Sequence, residues 1–272
     1  MLLAVLTLAA LQGITWEPAR PLQGSLIVIS APDGLTGRFA GEPLHFVNGR
    51  AFAAVPLSAR DSLELEVLTS SIELDVLTRG PLKKSELWLP VEEREVPGKG
   101  ERLRTPERFT PPPDSALLVR IARERGLALE AARRAHAAPR LWKAPFLRPR
   151  TTRVTSPFGA GREVNGVWRS THAGMDIAGR KGDTVRAANR GVVALVGDFF
   201  YGGRSVYVVH GAGLLTAYHH LSRALVAVGD TVERGQVIGR VGATGRVTGP
   251  HLHWGAQYGS ISFDPADLLK LP

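Results

Sequence analysis

Turn signals divide most of this 272-residue chain into short apolar runs, and that punctuation constrains its fold more than any other feature. Over residues 22–97, Pro32–Asp33–Gly34, Asn48–Gly49 and Arg79–Gly80–Pro81 separate short stretches rich in aliphatic and β-branched residues. These runs are Leu26–Ser30, Leu44–Phe46, Ala51–Val55, Leu63–Leu68, Ile72–Val76 and Leu87–Leu89. Strands recurring at roughly 8–12-residue intervals predict a β-sandwich. The 30 glycines and 19 prolines argue against a helical bundle. Nothing over residues 22–97 forms a catalytic constellation, and His45 stands alone on an expected strand, in a structural role.

Residues 98–148 read differently. Pro97 to Gly100 and Pro111 to Pro113 bracket a charged hinge. A helix follows, capped by Asp114 or Ser115, with Leu117, Leu118 and Ile121 at helical spacing. Gly126 is expected to interrupt it before Ala131–Ala138 resumes, with His136 solvated. From residue 149 to 272 glycine is frequent again. Gly191–Val196, Ser205–Val209, Leu214–Tyr218 and Gln236–Gly239 predict an antiparallel β domain of ordinary size. The fold class is therefore mainly β, with a short helical linker between two β domains.

Met1 to Leu11 is apolar apart from Thr7. A membrane span needs about 20 residues, whereas this length suits the apolar core of an export leader. Residues 1–12 are read as a signal peptide, although only the chain's amino group supplies the leading positive charge. Export to the periplasm, cell envelope or medium follows, with no stable membrane span. The net charge of +9 is uneven: −3 over residues 1–100, +7 over 101–150 and +5 over 151–272. A basic surface attracts polyanions, an anionic cell wall among them, and arginine-rich coding bias explains the charge equally well. No nucleic-acid-binding module is recognisable, and few aromatics are present to stack on bases.

The chain has no cysteine, which removes disulfides, thiolate zinc sites and cysteine nucleophiles together. A transition-metal site would rest on imidazole and carboxylate. Six of the eight histidines fall between residues 172 and 253. His172–Ala173–Gly174–Met175–Asp176 sets a histidine and an aspartate four apart, and His251–Leu252–His253 sets two histidines on one face of a strand. Two such pairs can supply three or four ligands to one tetrahedral ion, Zn²⁺ being the expected one. Separate hydrogen-bonded histidines fit the bare spacing equally well.

The flanking residues add a resemblance. Thr155–Ser156–Pro157–Phe158–Gly159, Asn165–Gly166, His172-x-Gly174-x-Asp176, Tyr218–His219–His220–Leu221–Ser222 and Gly249–Pro250–His251–Leu252–His253 are similar to the motifs of the LytM/lysostaphin-type zinc metallopeptidases, peptidase family M23. The resemblance covers residues 151–268. Residues 22–150 more loosely resemble the Ig-like β-sandwich and helical spacer that precede this domain in one branch of the family.

The resemblance implies one zinc ion held by His172, Asp176 and His253, with His220 and His251 as catalytic histidines, either of which could be the general base. It implies Asn165 near the substrate cleft, His210 as structural, and His219 on the opposite strand face with no role in the chemistry. It also implies hydrolysis of peptide bonds in the stems or cross-bridges of bacterial peptidoglycan. Thr171, Ala173, Met175 and Gly161 depart from the common pattern, which bears on subsite preference. The rival reading is a non-catalytic M23-like regulator of other wall hydrolases, but such homologues usually lose metal ligands. A lipoyl-type carrier would need a lysine at a hairpin tip, and neither Lys181 nor Lys270 occupies one.

Overall fold

The computed structural model describes residues 13–72, 79–95, 100–166 and 168–271. The expected leader, most of the expected strand Ile72–Val76 and part of the hinge lie outside them. The chain forms two compact units, dividing between Arg94 and Glu95.

Among its described residues the first unit has seven strands: β1 (Thr15–Glu17), β2 (Leu26–Ser30), β3 (Thr36–Phe39), β4 (Glu42–Pro43), β5 (Arg50–Ala54), β6 (Ser62–Ile72) and β7 (Arg79–Pro90). They form two antiparallel sheets, ordered β1-β2-β5 and β4-β3-β6-β7. Period-two alternation sends Ile27 and Ile29 inward opposite Ala53 and Ala51, and the other sheet contributes Phe39, Leu65, Val67 and Leu89 to the same core. The Asn48–Gly49 signal is a two-residue hairpin: both residues have positive φ (51° and 70°), and Val47 pairs with Arg50. Leu44–Phe46, expected as a strand, is irregular, so His45 lies in a loop.

The second unit opens with β8 (Glu101–Leu103) and, after a short turn of helix at Glu107–Phe109, the helix α1 (Ser115–Ala137). Strands β9 (Val154–Ser156), β10 (Gly161–Val164), β11 (Trp168–Thr171), β12 (Met175–Ala178) and β13 (Thr184–Arg186) follow. The long central strands are β14 (Gly191–Phe199), β15 (Gly203–Gly211) and β16 (Leu214–Ala224). Then come β17 (Thr231–Val232), β18 (Val237–Val241), β19 (His251–Tyr258) and β20 (Ile261–Phe263). The main sheet runs β17-β14-β15-β16-β19-β12-β9, with β18 on β16, β13 on β18 and β20 on β19.

Asp114 caps α1, its Oδ1 accepting from the Leu117 N–H at 2.8 Å. Ala131 and Ala135 pack the helix on Ala194, Tyr207, Val209, Leu215 and Ala217 of the main sheet, small side chains allowing close approach. Gly126 does not break the helix, contrary to expectation. Its surroundings are open and one glycine costs only about 1 kcal/mol, which the packed half of the helix outweighs. His136 is half-buried rather than solvated, its ring 5.2 Å from that of Tyr258.

The segment expected as a movable hinge is fastened where it is described. β8 pairs in parallel with β10, Glu101 beside Arg162 and Leu103 beside Val164. Further on, Trp142 and Phe146 are buried, and Leu141 N–H bonds the His210 carbonyl at 2.9 Å. Among the described residues no helix is long and apolar enough to cross a membrane.

Candidate metal centre and active site

Strand register assembles the site. On β12 and β19, Asp176 lies directly opposite His253, and Ala178 opposite His251. On β16, His219 lies opposite His253. Directly opposed residues share a sheet face, so Asp176, His253 and His219 form one row across three strands. His172 enters from the turn before β12, held by backbone bonds between His172 N–H and Ala160 O (2.8 Å) and between Gly159 N–H and His172 O (2.9 Å). Gly174 lets the turn close over the row: a Cβ there would lie 2.5 Å from His253 Nε2 and 2.8 Å from the Trp254 carbonyl.

Three ligand atoms converge. His172 Nε2 lies 2.9 Å from His253 Nδ1 and 3.1 Å from Asp176 Oδ1, and His253 Nδ1 lies 2.9 Å from the same oxygen. Ligands at 2.0–2.1 Å around a tetrahedral ion stand about 3.3 Å apart, so the spacing fits one small cation. His172 Nδ1 faces the Pro157 carbonyl at 2.9 Å, which can only accept. The proton therefore sits on Nδ1 and the lone pair on Nε2, toward the cluster.

Electrostatics agree with a cation site. Burial opposes ionisation of Asp176, but hydrogen bonds with His172 and His253 outweigh it and hold the carboxyl well below the usual range. Burial lowers His253 despite Asp176, keeping the imidazole neutral as a ligand must be. Arg162 bonds the other Asp176 oxygen, and also reaches Ser156 Oγ at 2.9 Å and Glu101 at 3.0 Å. One carboxylate oxygen is thus left for the ion. Arg162 lies outside the motifs read as ligands. The run Gly159–Ala160-x-Arg162 contains it, but nothing in that run says it meets Asp176.

His220 and His251 adjoin the cluster, their rings 5.0 Å apart, with His220 5.9 Å from the His253 ring. His220 Nδ1 faces the Thr244 carbonyl and His251 Nδ1 that of Gly249, each at 2.9 Å. Each Nδ1 therefore donates to a carbonyl, which fixes the ring, and His251 Nε2 lies 3.6 Å from Asp176 Oδ1. Burial, then the neighbouring His253 and His251, push His220 well below its ordinary value.

His219 does not point to the opposite face. Strict alternation would separate it from His220, but His220 has a φ of 63° and sends its N–H to Gly202 O at 2.9 Å. This irregularity puts both rings on the site's side, with His219 5.2 Å from the His253 ring and its Nδ1 2.7 Å from Ser205 Oγ. Asn165 does not join the cluster either. At a φ of 53°, its side chain bonds Thr105 N–H (2.8 Å), Thr105 Oγ1 (3.1 Å) and Thr110 Oγ1 (2.8 Å). It clips the segment after β8 in place. His210 lies apart and fully buried, with Arg190 O and Thr216 Oγ1 each 2.8 Å from its ring nitrogens; burial lowers it to about 4.

Two cavities of about 630 and 540 Å³ flank the cluster. Leu103, Thr105, Arg162, His220 and Arg246 line both. The class defined is a β domain carrying a cluster of two histidines and one aspartate with the spacing to hold a metal ion, flanked by two cavities.

Residues 170–265 match the sequence family described as Peptidase family M23. The fold is similar to a crystal structure described as an M23 peptidase from Pseudomonas aeruginosa, at 30% identity and a TM-score of 0.68, covering 92% of this chain and 94% of that one. The chain belongs to peptidase family M23. It is 41% identical over 118 residues to the DD-carboxypeptidase/endopeptidase Mpg of Neisseria meningitidis, covering 43% of this chain and 27% of that protein. It is 39% identical over 122 residues to the peptidoglycan DD-endopeptidase ShyC of Vibrio cholerae, covering 44% and 28% respectively. The matched stretch thus spans just over a quarter of those relatives.

Proposed function

We propose that this protein is a zinc metalloendopeptidase that hydrolyses peptide bonds in the stems or cross-bridges of bacterial peptidoglycan. The observation that carries the reading is the convergence of His172 Nε2, Asp176 Oδ1 and His253 Nδ1 to within 3.1 Å of one another, beside two histidines whose Nδ1 atoms are held by backbone carbonyls. Two nitrogens and one oxygen suit zinc, and no thiolate is available. Bound there, zinc would supply Lewis acidity toward a water and a peptide carbonyl.

The chain's own groups do the rest. Arg162 holds Asp176 ionised and turned toward the histidines. Pro157 O fixes the His172 tautomer. His220 and His251, oriented by Thr244 O and Gly249 O, hold and move protons at Nε2: one accepts the proton of the attacking water there, and the other, carrying a proton at Nε2, serves the oxyanion or leaving amine. No H-E-x-x-H helix supplies a glutamate for this task. The cavities on both sides of the cluster suit an extended peptide. The relatives' names support peptidoglycan as substrate, and with it export to the envelope, where a net charge of +9 favours an anionic wall.

Elemental analysis of the purified protein with His253→Ala, His220→Ala and His251→Ala tests the reading. The wild type should hold one zinc and the His253 variant little. The other two should keep zinc and lose roughly 10²–10⁴-fold in hydrolysis of isolated peptidoglycan. Absence of stoichiometric metal in the wild type, or wild-type digestion by both His220 and His251 variants, would refute it.

A further inference from the structure

Charge in the cleft is matched at most inward-facing positions. Arg150 is paired with Asp183 at 2.8 Å, and Arg162 with Glu101 and Asp176. Arg153 and Arg180 stand exposed at the rim, where water compensates them. Arg246 differs. It is half-buried, lines both cavities beside His220, and makes no ion pair with a described carboxylate.

Its position is built. The Arg246 guanidinium stacks over the Tyr201 ring at 4.5 Å, and the Arg246 backbone N–H bonds Tyr201 O at 2.9 Å. The preceding Gly245 has a φ of 75° and lies so close to the 201–203 turn that a Cβ would fall 2.4 Å from Tyr201 O. Thr244, one residue earlier, accepts from Arg204 N–H and donates to Leu221 O, each at 2.9 Å, while its carbonyl orients His220. One rigid turn thus fixes a candidate proton carrier and, two residues on, an uncompensated guanidinium.

A half-buried cation without a counterion costs free energy unless an anion arrives to meet it. Arg246 also feels the like charge of Arg162, which adds to that cost. The planar fork matches a carboxylate in bidentate fashion. We infer that Arg246 is a specificity residue that receives a free carboxylate on the substrate residue adjoining the scissile bond. The inference rests on the peptidase reading and deepens it: the preferred substrate is a peptide whose leaving residue keeps an unamidated carboxylate.

Two synthetic peptides ending in D-amino acids, identical except for a carboxylate or a carboxamide on the residue after the scissile bond, test this on the full chain. Hydrolysis is measured with the zinc-loaded protein and binding by calorimetry with the metal-free protein, for the wild type, Arg246→Gln and Arg246→Lys. Charge-assisted hydrogen bonds predict a wild-type preference for the carboxylate peptide of roughly 10- to 100-fold, expressed in KM and affinity more than in kcat. Arg246→Gln should collapse the ratio toward one, and Arg246→Lys should keep part of it. A wild type indifferent to the carboxylate overturns the inference. So does an Arg246→Gln variant that loses kcat on both peptides with the ratio intact, since that marks a role only in holding the His220 turn. Failure to cleave either peptide, with binding that still prefers the carboxylate through Arg246, would sink the peptidase reading and leave the carboxylate site standing.

Discussion

Replacing Gly174 with alanine tests whether the site depends on the approach of one backbone turn to one imidazole. The new Cβ would lie 2.5 Å from His253 Nε2 and 2.8 Å from the Trp254 carbonyl. Ordinary contact needs about 3.4 Å, so the ring must retreat by about 0.9 Å. The ring alone cannot relieve the clash, because the second contact is β19 backbone, so the strand must shift from β12 as well. Metal ligands tolerate about ±0.2 Å, so His253 Nδ1 would leave ligand range. The expected result is a fall in zinc affinity of about 10²-fold or more, on the scale of a lost supporting contact, with about 1–3 kcal/mol of overpacking strain. Chelator competition would measure the first and thermal unfolding of the metal-free protein the second. The reasoning is refuted if Gly174→Ala binds zinc with wild-type affinity while His253→Ala does not.

Three further outcomes follow from the same geometry. His210 is lowered by burial to about 4 in the folded protein, against about 6.5 unfolded, so its contribution is full above pH 6.5 and lost as pH falls toward 4. The stability gap between wild type and His210→Phe should shrink by about 3 kcal/mol between pH 7 and 4, and a pH-independent gap in denaturant titrations would refute this. Asn165→Ala removes three side-chain bonds to Thr105 and Thr110 at a residue with a φ of 53°, so stability should drop by about 2–3 kcal/mol with KM little changed, whereas a substrate-binding asparagine would do the reverse. Gly126→Ala, in an open helical position, should raise stability by up to about 1 kcal/mol in thermal melts.

Much of the site was legible because its signals are local. A four-residue spacing carries His172 and Asp176, a two-residue spacing keeps His251 and His253 on one face, and Asn48–Gly49 declares its hairpin without reference to the rest of the chain. The β class and the capped helix after Asp114 follow from equally short-range rules.

What tertiary structure alone decided lies wherever a distant backbone partner overrides those rules. Alternation sends His219 away from His220, but the bond from His220 N–H to Gly202 and a left-handed φ turn both toward the cluster of His172, Asp176 and His253. Asn165 reads as a polar residue near a cleft, yet Thr105 and Thr110, sixty and fifty-five positions away, occupy its amide. Gly126 reads as a break, but the sheet beneath Ala131 and Ala135 holds the helix through it. Arg162 gains its partner Asp176, and Arg246 goes without one, only when β10, β12 and the turn before β19 meet in space. Spacing along the chain encodes which side chains leave the backbone together; which groups they meet depends on contacts between segments remote in sequence, and no local pattern carries that.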